Sequence, residues 1–307
     1  MQPASALAPQ DPHAELVALA RQLAPLEGPN ETGLPGLHLI RANAPGNALP
    51  AMYEPGLVFV LQGSKRVVLG DETLVYDPLH YLLVRMMVLP RGQVIEASAD
   101  HPFLCVRVRL DLHELGQLML QAPAVLHGDA TPQALRVAVV SPSLADTLLR
   151  LLRMVRSPAD LRVLGPLAVR EILWRVLTGE LGASIADLGL SGGRAQRIAR
   201  AVQFIEQNFA QALRVDDVAK AVHMSVSSLH HQFKAATSMS PVQFQKQLRL
   251  HHARRMMLAD GLDAAAAAHR VGYESPSQFS RDYRRLFGAS PRAHIAQLRQ
   301  LLRTVPR

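Results

Sequence analysis

The chain has 307 residues, enough for about two domains with sizeable cores. One cysteine rules out an internal disulfide framework, and no apolar run reaches the roughly 18 residues that a membrane-spanning helix needs. The net charge of +8 is unevenly placed: residues 194–307 carry 18 Lys and Arg against 7 Asp and Glu, whereas residues 1–193 carry 15 against 18. The excess positive charge therefore falls entirely in the C-terminal part, as a polyanion-binding surface requires.

Met1 to Pro12 is Ala/Pro-rich and lacks a basic cluster followed by an apolar core, so it reads as a disordered leader rather than a secretory signal. With the single cysteine, this points to a reducing cytoplasm. Glu15 to Leu26 has helical spacing through Leu16, Leu19 and Leu23. From Leu37 the period changes to two. Segments 37–41, 57–62, 65–69, 73–76, 81–84, 93–96 and 103–110 are predicted strands, with Gly63-Ser64 and Gly70-Asp71 as two-residue hairpin turns. Short strands at this spacing predict a small antiparallel barrel or sandwich. Leu112 to Leu120 and Ser143 to Val155 are predicted helices, and Ala124 to Pro142 a loop-rich connection. Leu161 to Leu181 carries an apolar stripe, interrupted at Gly165-Pro166, with Leu173, Val176 and Leu177 on one side. That stripe is either core or a dimer face. Residues 183–193, small and ending in Ser191-Gly-Gly193, are the expected linker.

The C-terminal part opens with a helix over Ala195 to Phe209 and then contains one unit twice. Ser225, Leu229, Phe233, Ser240 and Pro241 recur as Ser275, Phe279, Tyr283, Ser290 and Pro291. Each copy reads as a short helix, a tight turn and a second helix. Ser225 and Ser275 are N-caps, and Pro276 sits at a first helical position. Leu229 with Phe233, and Phe279 with Tyr283, are four apart and share a buried face. Ser227, Ser228, His231 and Lys234 point outward in the first copy, and Ser277, Gln278, Arg281, Arg284 and Arg285 in the second. A helix-turn-helix lays such a polar face in a DNA major groove. Arginine pairs with guanine O6 and N7 or takes phosphate, and glutamine has the chemistry for adenine. The helix starting at Pro241 runs about 18 residues, roughly 27 Å. That suits reading heads in successive major grooves, about 34 Å apart.

These residues resemble the C-terminal domain of AraC/XylS-type transcription regulators. The likeness lies in Val218-Ala-Lys-Ala-Val-His-Met-Ser225, Leu229-His-His-Gln-Phe-Lys234, Phe279-Ser-Arg281 and Phe287-Gly-Ala-Ser-Pro291. His223 stands where that family often has glycine, and Ala267 where it usually has isoleucine. Tyr53-Glu-Pro-Gly56, Leu61-Gln-Gly-Ser-Lys-Arg66, Leu69-Gly-Asp-Glu72 and Leu89-Pro90 are similar to the cupin-like N-terminal domain of one subgroup of these regulators, and Glu171-Ile-Leu-Trp-Arg-Val-Leu177 resembles the helix after it.

The resemblance implies an α+β two-domain protein: an N-terminal cupin-like antiparallel β-barrel with helices, and a C-terminal all-α double helix-turn-helix domain. The expected division is a leader and helix over 1–30, a sensing or dimerisation domain over 31–182, the linker, and a DNA-binding domain over 194–307. Its helix-turn-helix units are expected near 215–236 and 263–287. The implied partners are double-stranded promoter DNA, RNA polymerase, a small-molecule effector and a second copy of the chain, with no membrane and no cofactor. His38, His80 and His101 form no ligand-like cluster, and no catalytic set stands out that would favour an enzyme carrying a DNA-binding appendage. Cys105, on a strand face with Phe103 and Arg107, is either core filler or a sensor thiol activated by arginine.

Overall fold

Strands with an inward apolar row build the N-terminal half of the computed structural model, which describes residues 11–78, 80–121, 133–189 and 193–303. The expected leader, up to Gln10, lies outside them. Every strand predicted from the alternation is present. A six-stranded antiparallel sheet has the order β1 (Gly28–Glu31), β2 (Leu37–Ala42), β9 (Phe103–Arg109), β4 (Gly56–Gln62), β7 (His80–Val84) and β10 (Leu135–Val139). A four-stranded sheet has the order β3 (Leu49–Pro50), β8 (Arg91–Glu96), β5 (Ser64–Leu69) and β6 (Glu72–Tyr76). Val58 and Val60 of the first sheet and Val67 and Leu69 of the second belong to one buried core.

The sheets do not close into the expected barrel. Among the described residues, strand pairing stays within each sheet. Gly63-Ser64 is also not a hairpin: β4 pairs with β7 and β9, while β5 pairs with β6 and β8, so Gly63 carries the chain from one sheet to the other. A Cβ on Gly63 would lie 2.3 Å from the Glu96 carbonyl oxygen, which explains the glycine. Gly70-Asp71 does form the β5–β6 turn. β10 lies in the stretch read as loop, and residues 124–132 of that stretch lie outside the described residues.

Helix α1 (Pro12–Leu23) packs on α3 (Pro142–Val155), and α3 packs on α4 (Pro158–Leu177). Glu171 pins the α3–α4 pair, accepting from Arg150 Nη2 at 2.6 Å and Arg175 Nη2 at 2.5 Å. The α4 helix runs unbroken through Gly165 and Pro166. Its predicted stripe of Leu173, Val176 and Leu177 is core, whereas Val163, Leu167 and Trp174 on the same helix are exposed.

The expected linker is largely helix α5 (Gly182–Gly189), with residues 190–192 outside the described ones. Ile185 and Leu188 are buried, and Asp187 receives a 2.8 Å hydrogen bond from the buried Arg85 Nη2. This segment is built into the sheet domain through α2 (Leu112–Gln121) and α4 rather than hanging free.

The C-terminal half is helical: α6 (Arg194–Gln207), α7 (Val215–Ala221), α8 (Val226–Thr237), α9 (Pro241–Ala259), α10 (Ala264–Arg270), α11 (Pro276–Phe287) and α12 (Pro291–Arg303). Side chains of α6 to α8 and the first half of α9 join the core that also contains the sheets. The second half of α9 packs with α10, α11 and α12 around a separate core, with Phe279 and Tyr283 fully buried. The halves also touch where Arg254 Nη1 donates to the Pro50 carbonyl at 3.4 Å and Ser238 Oγ to the Leu69 carbonyl at 3.4 Å.

Candidate nucleic-acid interface

The two reading units share their local chemistry. Ser225 Oγ accepts from the Ser228 backbone N–H at 3.2 Å, and Ser275 Oγ from that of Gln278 at 3.3 Å, so both second helices start on a serine cap. Ser240 opens α9 with a reciprocal cap: its Oγ accepts from Gln243 N–H at 3.2 Å, and Gln243 Oε1 accepts from Ser240 N–H at 3.0 Å. Each first helix ends with a left-handed residue. His223 donates its N–H to Lys220 and Met224 to Ala219; Gly272 donates to His269 and Tyr273 to Ala268. The second copy has one more residue before its cap, Glu274.

Leu229, Phe233, Phe279 and Tyr283 are all buried. The rings of Phe233 and Phe244 meet edge to face at 5.5 Å, and Tyr283 contacts Phe287 at 4.5 Å. This anchoring leaves Ser227, His231 and Lys234 exposed on α8, and Ser277, Arg281, Arg284 and Arg285 exposed on α11, with Ser228 and Gln278 half-buried. α9 spans 19 residues, about 28 Å.

Two of the candidate residues have surroundings that bear on their roles. Gln278 Nε2 donates to Asp282 Oδ2 at 2.9 Å, and Gln278 Oε1 accepts from Arg281 Nη2 at 2.6 Å. One N–H and the carbonyl oxygen of the Gln278 amide thus already have partners within α11. Cys105 is 1% exposed, and burial pushes its thiol up to about 11 despite Lys65 and Arg107 nearby. Desolvation outweighs the cations, which disfavours the thiolate that a sensor thiol needs.

Sequence reasoning missed the groups that brace α11. Asp282 is buried on the reading helix and takes a 2.8 Å salt bridge from Lys246 Nζ on α9. Burial alone would raise its carboxyl, but hydrogen bonds from Lys246 and Gln278 hold it below the usual value. A lone acid amid Arg281, Arg284 and Arg285, four residues after Gln278, was the available signal. Arg249, also on α9, donates to the carbonyls of Phe209 at 2.7 Å, Gln211 at 2.8 Å and Gly272 at 2.9 Å, clamping the end of α6 to the turn of the second unit. Of the histidines weighed as ligands, His38 lies 3.3 Å from Glu31 and His80 2.8 Å from Asp77, in separate places.

Two capped, core-anchored helices with polar outer faces, joined by one helix, define a double helix-turn-helix DNA-binding protein. A family model described as "AraC-type transcriptional regulator N-terminus" matches residues 33–184, and one described as "Helix-turn-helix domain" matches residues 218–297. The chain belongs to the AraC family of transcription regulators. It is 25% identical over 247 residues to the virulence regulon transcriptional activator VirF of Yersinia enterocolitica, covering 78% of this chain and 88% of VirF. It is 32% identical over 125 residues to the transcriptional activator RhaS of Escherichia coli, covering 41% of this chain and 45% of RhaS. The fold is similar to that of a point variant of ToxT from Vibrio cholerae in its apo form, with a TM-score of 0.56 at 10% identity over 85% of this chain and 97% of ToxT.

Proposed function

We propose that this regulator reads promoter DNA with α8 and α11 in successive major grooves of one duplex, and that the sheet domain couples this reading to a small-molecule effector and to dimerisation. The observation that carries it is the pair of outward polar faces, each fixed by a serine cap and a buried aromatic or leucine anchor. In this reading Arg281 is the principal base reader. Gln278, held by Asp282, positions its guanidinium, while Arg284 and Arg285 take base or phosphate contacts. The α8 helix reads through Ser227, Ser228 and His231, with Lys234 on phosphate. The exposed apolar row of Val163, Leu167 and Trp174 supports a dimer face on α4. RNA polymerase is the partner expected of an activator, and the cytoplasm the compartment. The sheet domain senses rather than catalyses.

Footprinting on genomic fragments tests this. The expected result is protection of one or a few promoter segments, with two patches about one helical turn apart. Uniform affinity for all fragments would reject it. Arg281→Ala is expected to cost about 1–3 kcal/mol on the preferred site and to relax discrimination at one base.

A further inference from the structure

A cavity of about 120 Å³ lies between the two sheets. Its walls include Ile40 and Val58 from the six-stranded sheet and Lys65 and Tyr76 from the four-stranded one. Lys65 belongs to the inward row of β5, two and four residues before the buried Val67 and Leu69. A cation in that row is costly unless paired. No carboxylate among the described residues forms an ion pair with it, because the nearby Glu54 is taken by Arg107 at 2.6 Å. Instead, Lys65 Nζ sits 5.2 Å from the centre of the Tyr53 ring.

The hydroxyls of Tyr53 and Tyr76 are buried at the same place, and Tyr53 lies beside both Lys65 and Tyr76, but neither hydroxyl makes a hydrogen bond of proper geometry. Lys65, Tyr53, Tyr76 and Cys105 are electrostatic neighbours. Burial pushes the Tyr76 hydroxyl well above its ordinary value and the Cys105 thiol up to about 11, so neither supplies a counter-charge at neutral pH. Gly92 leaves room for the cluster, since a Cβ there would lie 2.9 Å from Tyr53 Oη.

One ammonium without a carboxylate partner, two hydroxyl donors and apolar walls make a complementary set. We propose that the cavity binds a small organic acid, its carboxylate held by Lys65 Nζ, Tyr53 Oη and Tyr76 Oη and its tail against Ile40 and Val58. This deepens, and rests on, the reading of the sheet domain as the sensing part. The volume matches about four waters, so the acid is small.

The test is calorimetry on the full chain with sodium acetate, butyrate and benzoate, set against butyramide, benzamide and inorganic phosphate. At least one acid is expected to bind, with its amide and phosphate at least tenfold weaker. Lys65→Gln is expected to weaken that acid at least tenfold. Should that variant fail to fold, Tyr53→Phe, which removes one donor, is expected to weaken it at least threefold. Acid and amide binding alike, phosphate binding best, no acid binding, or wild-type affinity in a folded variant would overturn the proposal. Footprinting on the same preparation separates the two readings. Promoter preference without acid binding removes only this inference, whereas loss of promoter preference removes the reading on which it rests.

Discussion

His223 and Gly272 hold the same backbone conformation with different side chains. Their φ angles are 54° and 86°, and both sit at the left-handed position that ends the first helix of a reading unit. A side chain there costs about 1–2 kcal/mol, partly offset by the extra freedom, about 0.4–1 kcal/mol, that glycine gives the unfolded chain. His223 is exposed, so little packing is lost with its ring. His223→Gly is therefore expected to stabilise the protein by about 0.5–1 kcal/mol, read from denaturant midpoints. Gly272→Ala has the opposite sign, because its Cβ would lie 1.9 Å from the Ala210 carbonyl oxygen and 3.0 Å from Arg249 Nη2. It should cost more than about 2 kcal/mol. The anchors and caps of these units were legible because their spacing is local: Leu229 and Phe233 four apart, a serine just before each helix. Asp282 and Lys246 were not, because their pairing joins two helices 36 positions apart, a distance that no local pattern encodes. Lys65 was passed over for another reason. Beside Arg66 it reads as an ordinary polar strand position, although its alternation with the buried Val67 and Leu69 places it on the inward row.

At the scale of elements, α5 and α9 carry the pairings that matter most. Arg85 on the loop after β7 holds Asp187 on α5, and Arg85 is 1% exposed. Arg85→Ala leaves Asp187 without its cation and is expected to cost about 3–5 kcal/mol in chemical unfolding. The small, glycine-bounded composition of 182–189 pointed to a linker. What makes it helix is this long-range ion pair together with the burial of Ile185 and Leu188, neither of which has a sequence signature. In α9, burial, then Arg254 and His252, push the His251 imidazole down to about 3, and burial also lowers His252. A histidine held neutral in the fold but free to protonate when unfolded stabilises the fold fully above its ordinary pKa of about 6.5. That contribution is lost progressively as pH falls from there toward about 3. Thermal melts are expected to show lower stability at pH 4.5 than at pH 7, with a shallower acid slope in His251→Gln. An unchanged slope in that variant would rule His251 out as the source. The exit of β10 from the region read as loop has a simpler cause: Leu135–Val139 is a short edge strand whose partner, β7, lies far back in sequence.

Across the whole molecule, charge and architecture act together. The cations of α11 are exposed while those of α8 are sparse, so the two heads should contribute unequally to salt dependence. Arg284→Ala is expected to reduce the slope of log affinity against log salt by about one if it contacts phosphate. Ser227→Ala should leave that slope unchanged. Equal slopes for both variants would place Arg284 off the backbone. The two-part organisation was readable from composition and the repeat, but the openness of the sheet domain was not. Closure depends on which strands pair across Gly63, and alternation is the same in a barrel and in a sandwich.

The division of the interior has a further consequence. The first reading unit shares its hydrophobic interior with the sheets, whereas the second surrounds one of its own and reaches the remainder mainly through α9, Arg249 and Arg254. Partial unfolding should respect that seam. Backbone amides of α10 to α12 should exchange with deuterium as one block through an opening that spares α7 and α8, so a regulator could loosen one hand on its operator while the other stays folded against the sensor.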